Sequence, residues 1–271
     1  MNNKIDKLKQ ILSSYRSILV AYSGGADSAL LLAAAQRALG DKVLAVTLIS
    51  ETFTRRELQR AVKVAAALGV KHLVVKSDEL DYRPFIRNNP DRCYHCKYLR
   101  LSRLKKIARD KGYQVVAEGS NLDDNTDHRP GMMAVRRLDV KSPLQQAGLT
   151  KAEVRQISKM WGLPTWNAPS QSCLATRIPY GQPITPRRLQ RIAEAEELLL
   201  NLGFTQVRVR DHGDIARIEV LPQQVAELIS NKEYICRHFE AIGYTYVTVD
   251  LNGFSSGSMN KAINQNRDGE K

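Results

Sequence analysis

Ile18-Leu19-Val20-Ala21-Tyr22-Ser23-Gly24-Gly25-Ala26-Asp27-Ser28-Ala29-Leu30-Leu31-Leu32 sets the reading of everything around it. An apolar run stops at paired glycines and resumes as a second apolar run, the pattern of a strand, a tight turn and a helix. Glycines let the backbone approach a ligand closely, and the free N–H groups of the helix start point at whatever sits there. That arrangement suits an anion. Ser23 and Ser28 add hydroxyl donors. No lysine follows the second glycine, so this is not the Gly-x4-Gly-Lys-Ser/Thr nucleotide loop.

Outward from this turn, strand and helix signals alternate over residues 1–165, with helix lengths suited to βαβ units. Candidate strands are 17–22, 43–49, 71–76 and 113–117, separated by helical stretches 27–39, 54–68, 95–110 and 150–161. Near-continuous apolar strands imply a parallel sheet covered on both faces, and such sheets bind ligands outside the carboxyl ends of their strands. The expected fold is α/β, with a parallel-sheet nucleotide-binding domain and a smaller α+β domain behind it. Residues 166–185 change character, with Pro169, Pro179 and Pro183 and few periodic apolar positions, and read as a linker loop contributing to the site. Residues 186–260 read as the small domain. There Leu202-Gly203-Phe204-Thr205 is echoed by Ile242-Gly243-Tyr244-Thr245, each followed by alternating strand residues. An antiparallel sheet that includes 214–220 is the expectation. Residues 261–271 read as a polar, fraying tail.

The chain has 271 residues, 43% hydrophobic and 25% charged, an ordinary globular composition long enough for two domains. No apolar run is long enough to span a bilayer, and Met1-Asn2-Asn3-Lys4-Ile5-Asp6 lacks the apolar core of a signal peptide. The expected location is cytoplasmic, without a membrane partner. A net charge of +13 favours polyanionic or phosphorylated partners without choosing among them. An exposed strand edge would permit a homo-oligomer, but nothing sets its symmetry.

Four cysteines are present, Cys93, Cys96, Cys173 and Cys236. Cys93-Tyr94-His95-Cys96 opens a helix, a position that favours thiolate as ligand or nucleophile. Cys173 follows in the proline-bounded loop Ser170-Gln171-Ser172-Cys173-Leu174-Ala175-Thr176-Arg177. Three such thiols admit structural zinc with His95, disulfide or persulfide exchange, or a [4Fe–4S] cluster with one open iron. Cys236 reads as a small buried hydrophobe. Glu118-Gly119-Ser120-Asn121-Leu122-Asp123-Asp124-Asn125, just past a strand, offers carboxylates and amides for Mg²⁺ or a nucleotide, or is a solvated turn. Arg208 and Arg210 alternate on a strand and share a face. With Arg217 they could hold a phosphate, although in isolation they read as surface residues.

Ser23-Gly24-Gly25-Ala26-Asp27-Ser28 resembles the pyrophosphate loop (PP-loop) of the ATP pyrophosphatase superfamily, which cleaves ATP between its α and β phosphates. Nearly the whole chain is similar to the LarE family, ATP-dependent sulfur transferases of nickel-pincer nucleotide synthesis. The matching residues are that loop, His128-Arg129-Pro130-Gly131, Trp166-Asn167, Arg177-Ile178-Pro179-Tyr180-Gly181, Val207-Arg208-Val209-Arg210, Asp214-Ile215-Ala216-Arg217-Ile218-Glu219 and Asp250-Leu251-Asn252-Gly253-Phe254. The resemblance implies ATP and Mg²⁺ as cofactors, with Ser23, Gly24, Gly25, Asp27 and Ser28 binding ATP. It also implies adenylation of a carboxylate on a pyridinium mononucleotide, then displacement of AMP by sulfur. Its best-known form gives up a cysteine sulfur from the position aligned with Ser172, and serine cannot donate sulfur. Cys93, Cys96 and Cys173 therefore resemble the branch whose three cysteines hold a catalytic [4Fe–4S] cluster. Arg177, Arg208, Arg210, Glu196 and Glu219 align with residues at the family's substrate and phosphate site. The expected partner is a small phosphorylated pyridinium, and the sulfide donor is unknown. A tRNA thiolase is the alternative enzyme, but the sequence has no further zinc knuckle or RNA-binding appendage. A zinc or cluster protein that binds nucleotide without catalysis, or an amide former such as NAD synthase, explains fewer of these residues.

Overall fold

The structure, a computed structural model, describes residues 1–125, 130–169 and 172–255. His128 and Arg129 of the motif above, Ser170 and Gln171 of the cysteine loop, and the tail 261–271 lie outside them. The chain forms two compact units, one of Met1–Phe85 with Pro90–Gln171, the other of Ile86–Asn89 with Ser172 onward.

The first unit runs α1 (Asn2–Ser13), β1 (Ile18–Ala21), α2 (Ala26–Leu39), β2 (Val43–Ile49), α3 (Arg55–Ala67), β3 (Lys71–Lys76), α4 (Arg83–Ile86, reaching the unit boundary), α5 (Arg92–Asp110), β4 (Val115–Ala117), α6 (Pro130–Arg137), α7 (Pro143–Gln146) and α8 (Lys151–Met160). Its four strands are parallel in the order β3-β2-β1-β4. Alternate residues serve opposite faces. Ile18, Val20, Val43 and Ala45 join α1, α2, α3 and α8 in one core, whereas Leu19, Leu44, Val46 and Leu48 join α5 and α6 in the other. Burial on both faces explains why β1 and β2 read as unbroken apolar runs. Because every strand points the same way, all four carboxyl ends open on one edge, where Ser23–Ser28 lies.

Two helices begin with a full capping box, Thr54 with Glu57 and Thr150 with Glu153, which satisfies N–H groups the first turn leaves open. Lys4 on α1 also grips Glu153, at 2.7 and 2.8 Å. The Lys4 hydrogen bond and the Thr150 N–H hold this carboxyl down at about 2, against an ordinary 4.5. A depressed carboxyl stabilises the fold fully above its unfolded value and loses that contribution as pH falls toward its folded value. Lys4→Ala is therefore expected to lower the urea midpoint at pH 7, and the difference from the unaltered protein should shrink between pH 4.5 and pH 2.

The second unit contains α9 (Pro186–Asn201), β5 (Arg208–Asp211), β6 (Ile215–Glu219), α10 (Val225–Ser230), α11 (Lys232–Ala241) and β7 (Tyr246–Val249). Its sheet has the order β5-β6-β7. The expected antiparallel sheet is only half realised: β5 and β6 run antiparallel, but β7 runs parallel to β6. Two helices intervene between β6 and β7, and such a crossover returns the chain in the same direction. Val209, Ala216 and Ile218 pack with Leu199, Phe204, Ile235, Phe239 and Tyr244 on one side. The other side carries the arginines of β5 and β6.

Candidate active site

In the first unit the site is built on the turn between β1 and α2. Gly24 adopts φ +73°, and a Cβ there would stand 2.8 Å from Ala61 Cβ and 2.9 Å from Ala61 Cα on α3. Only glycine fits so close to a neighbouring helix in that conformation. Ser23 Oγ and Ser28 Oγ lie 3.1 Å apart, and Ser28 Oγ donates to Gly25 O at 3.2 Å. The turn is thus fastened by its own hydroxyls. Gly25 is the N-cap of α2 and has no side chain to occupy the first N–H groups of the helix, and donors left open at a helix start suit an anion.

The loop after β4 closes against this turn. A Cβ on Gly119 would lie 2.9 Å from Ser28 N, so the two segments touch backbone to backbone. Asn121 Nδ2 donates to Asp27 Oδ1 at 3.2 Å, and Lys151 Nζ donates to Asp27 Oδ2. Asp123 Oδ2 in turn accepts the Lys151 backbone N–H at 2.9 Å, and Asp124 Oδ2 accepts that of Asn121 at 2.9 Å. The acidic stretch is therefore neither a loose solvated turn nor simply a set of outward ligands. It fastens the first turn of α8 to the first turn of α2. Lys151 was not singled out from sequence. Its capping box on Thr150 was the available signal, because it marks the helix start that delivers the lysine.

Glu118 lies beneath, buried, accepting from Lys97 Nζ at 3.0 Å, Ser120 Oγ at 2.8 Å and Ser142 Oγ at 2.5 Å. Burial pushes its carboxyl up, but the Lys97 charge and the hydroxyls outweigh this and hold it below its ordinary value. Lys97 belongs to α5, whose first turn bears Cys93 and Cys96, the former exposed and the latter half-buried. A spacing of three places both on neighbouring positions of one helix face. His95, the residue considered as a further metal ligand, has Nε2 3.1 Å from Asp91 Oδ2. Arg100, a turn further along, reaches Glu79 and the carbonyl of Leu48, tying α5 to the carboxyl end of β2.

In the second unit, exposed Cys173 opens the turn Leu174–Arg177. Arg177 is buried and holds that turn. Its Nη1 donates to Ser172 O at 2.7 Å, to Cys173 O at 3.2 Å and to Thr176 Oγ1 at 3.0 Å, while Nε and Nη2 pair with Glu196 at 2.8 and 2.9 Å. Glu196 also accepts Val209 N at 3.0 Å. Arg210 makes a two-pronged pair with Glu219 at 2.9 and 2.7 Å and donates to Thr176 O at 3.0 Å. Arg217 reaches the same Glu219 at 3.1 Å. The reading of Arg208 and Arg210 as surface residues is corrected: both are buried. Burial pushes the Arg208 guanidinium down to about 10, and the positive charge of Arg177 adds to that shift. Arg177 and Arg210 thus each pair with a buried carboxylate, and Arg208 lies buried near both; guanidinium groups gathered in this way suit an anion.

The candidate residues fall into three groups: Ser23, Gly24, Gly25, Asp27 and Ser28 on one turn, Cys93 and Cys96 on another, and Cys173 with Arg177, Glu196, Arg208, Arg210 and Glu219 in the second unit. Among the described residues, no three His, Cys, Asp or Glu side chains are gathered as a ready metal site. Cys236 is half-buried rather than enclosed. No helix among the described residues is long and apolar enough to cross a membrane.

The family profile described as NAD synthase matches residues 1–88, a stretch that includes the Ser23–Ser28 turn. The pyridinium-3,5-bisthiocarboxylic acid mononucleotide synthase of Lactiplantibacillus plantarum is 38% identical over 256 residues, covering 93% of this chain and 92% of that protein. An uncharacterized protein of Synechocystis is 38% identical over 97% of this chain and 99% of its own length. Another, from Methanocaldococcus jannaschii, is 30% identical over 94% and 95%.

Proposed function

This chain belongs to the LarE family, and from that premise we propose that it converts the carboxylates of a pyridinium dicarboxylate mononucleotide to thiocarboxylates for nickel-pincer cofactor synthesis. It is an ATP-dependent sulfur transferase built on the PP-loop fold. The observation that supports the proposal is that the first unit carries the Ser23–Ser28 turn at the start of α2 and the second, taken by itself, carries buried arginines around the Cys173 turn. One anion site suits the pyrophosphate of ATP and the other the phosphate of a mononucleotide.

In the proposed reaction a substrate carboxylate oxygen attacks the α-phosphorus, and the bond to the β-phosphate oxygen breaks as pyrophosphate leaves. The α2 N–H groups, Ser23 and Ser28 stabilise that leaving group. Asp27, an oxygen donor held in place by Asn121 and Lys151, is suited to Mg²⁺ on the phosphates. A sulfur nucleophile then attacks the acyl carbon, and the bond to the AMP oxygen breaks. Arg208 and Arg210 orient the substrate phosphate, with Glu196 and Glu219 fixing the arginine network.

The chemistry of the donors supports an iron–sulfur centre: sulfur ligands suit iron, Cys93 and Cys96 share one helical turn, and Cys173 is exposed in the second unit. These three would hold a [4Fe–4S] cluster, which when bound would supply an open iron able to carry sulfide.

The test is an anaerobic assay with ATP, sulfide and the pyridinium dicarboxylate mononucleotide, alongside iron, sulfide and zinc analysis. AMP, pyrophosphate and thiocarboxylate in step are expected. AMP without thiocarboxylate would overturn the proposal, and stoichiometric zinc without iron would overturn the cluster. Lys151→Met removes the cation that fixes Asp27. A hydrogen bond to a charged group contributes about 2 kcal/mol, so the KM for ATP is expected to rise roughly tenfold or more, read by pyrophosphate release.

A further inference from the structure

Residues 178–184, Ile-Pro-Tyr-Gly-Gln-Pro-Ile, continue directly from the turn that carries Cys173 and Arg177. Pro179 and Pro183 have no N–H, so this segment cannot build a regular hydrogen-bond ladder of its own. Its polar backbone still has to be satisfied where it is buried. The strap Ile86–Asn89, distant in sequence but part of the same unit, meets that need. Ile184 N donates to Ile86 O at 2.9 Å, and Gly181 N donates to Asn88 O at 3.0 Å. Asn88 then answers with its side chain. Its Nδ2 donates to Ile178 O at 3.2 Å, Pro179 O at 2.8 Å and Gln182 O at 3.0 Å, sharing two hydrogens among three carbonyls.

Asn88 is fully buried and sits at φ +56°, a left-handed conformation that asparagine tolerates better than other side-chain-bearing residues. Such a residue, with its amide directed at one loop, is expensive to keep unless the loop's position matters. The same strap leads, five residues on, to Cys93.

We propose that Asn88 is a positioning residue for the sulfur-transfer step: it pins the 178–184 loop and thereby the exposed Cys173 at the head of the adjoining turn. Arg177 and Glu196 fasten the near side of that turn, and Asn88 fastens the far side. The inference rests on the proposed function only in naming the step that Cys173 serves.

Asn88→Gly keeps the left-handed backbone and removes all three side-chain bonds. Asn88→Asp keeps the shape but turns an oxygen toward the carbonyls. The alkylation rate of each cysteine is measured by mass spectrometry on folded, anaerobically purified protein, alongside thermal melting and the separate rates of pyrophosphate and thiocarboxylate formation. In both variants the Cys173 rate is expected to change several-fold relative to Cys236. Thiocarboxylate formation is expected to fall about tenfold while pyrophosphate release holds, since a small misplacement suffices to cost that much. An unchanged Cys173 rate in folded variants overturns the proposal. So does a joint rise at all four cysteines that tracks a lower melting temperature. If the unaltered protein makes no thiocarboxylate, the functional reading fails, and the cysteine rates still decide the role of Asn88.

Discussion

Gly24→Ala is expected to reduce ATP-dependent pyrophosphate release about 100-fold or more, the scale of loss that a misplacement of about 1 Å at a reacting centre produces. Two independent causes act at this position. An alanine at φ +73° is strained by about 1–2 kcal/mol. Its methyl would also stand 2.8 Å from Ala61 Cβ and 2.9 Å from Ala61 Cα, and the latter is backbone that no side-chain rotation can move aside. Either the turn or α3 has to shift. The turn is the weaker element, because serine hydroxyl bonds at 3.1 and 3.2 Å fasten it, whereas α3 is seated on the core by Ala61, Val64 and Ala65. The turn therefore opens while the fold survives. The expected signature is a collapse of pyrophosphate release with a melting temperature lowered by only a few degrees, the shift that about 1–2 kcal/mol produces in a chain of this size. Near-normal release would show that the turn tolerates a Cβ and does not depend on this approach.

Cys173→Ala is expected to drop thiocarboxylate formation to background while ATP is still cleaved. Cys173 is exposed, and its turn is held by backbone bonds: Arg177 reaches Ser172 O and Cys173 O, and Thr176 donates to Cys173 O through both N and Oγ1. None of these bonds involves the sulfur, so truncating the side chain leaves the turn in place. The melting temperature should stay close to that of the unaltered protein. If iron and acid-labile sulfide disappear together in this variant, Cys173 is a cluster ligand. If they stay while sulfur transfer is lost, the thiol acts directly. Full sulfur transfer by the variant would remove Cys173 from the chemistry altogether.

The parts of this molecule that could be read from sequence are those governed by short-range chemistry. Apolar strands buried on both faces, the paired glycines and the cysteine spacing leave local marks, and the four strands and main helices of the first sheet were placed from them to within a few residues. The direction of β7 was not legible, since a strand's residues are the same whichever way its neighbour runs. Nor was the burial of Arg208 and Arg210. Two arginines alternating on a strand look like a solvated face until Glu219 on the neighbouring strand pairs with Arg210, and Glu196 on a helix accepts the backbone N–H of Val209 between them.

The α/β class, the family and the inventory of thiols were legible in the residues alone, as was the strand–turn–helix around Ser23–Ser28. It took the folded chain to bring Lys151 from the start of α8 to Asp27, to set Arg177 against the Cys173 turn, and to let Asn88 satisfy the carbonyls of a proline-broken loop ninety residues further along. The physical reason is the same in each case. Backbone geometry is encoded in neighbouring residues, whereas the partner of a buried charge or an orphaned carbonyl is whichever group the folded chain brings within about 3 Å.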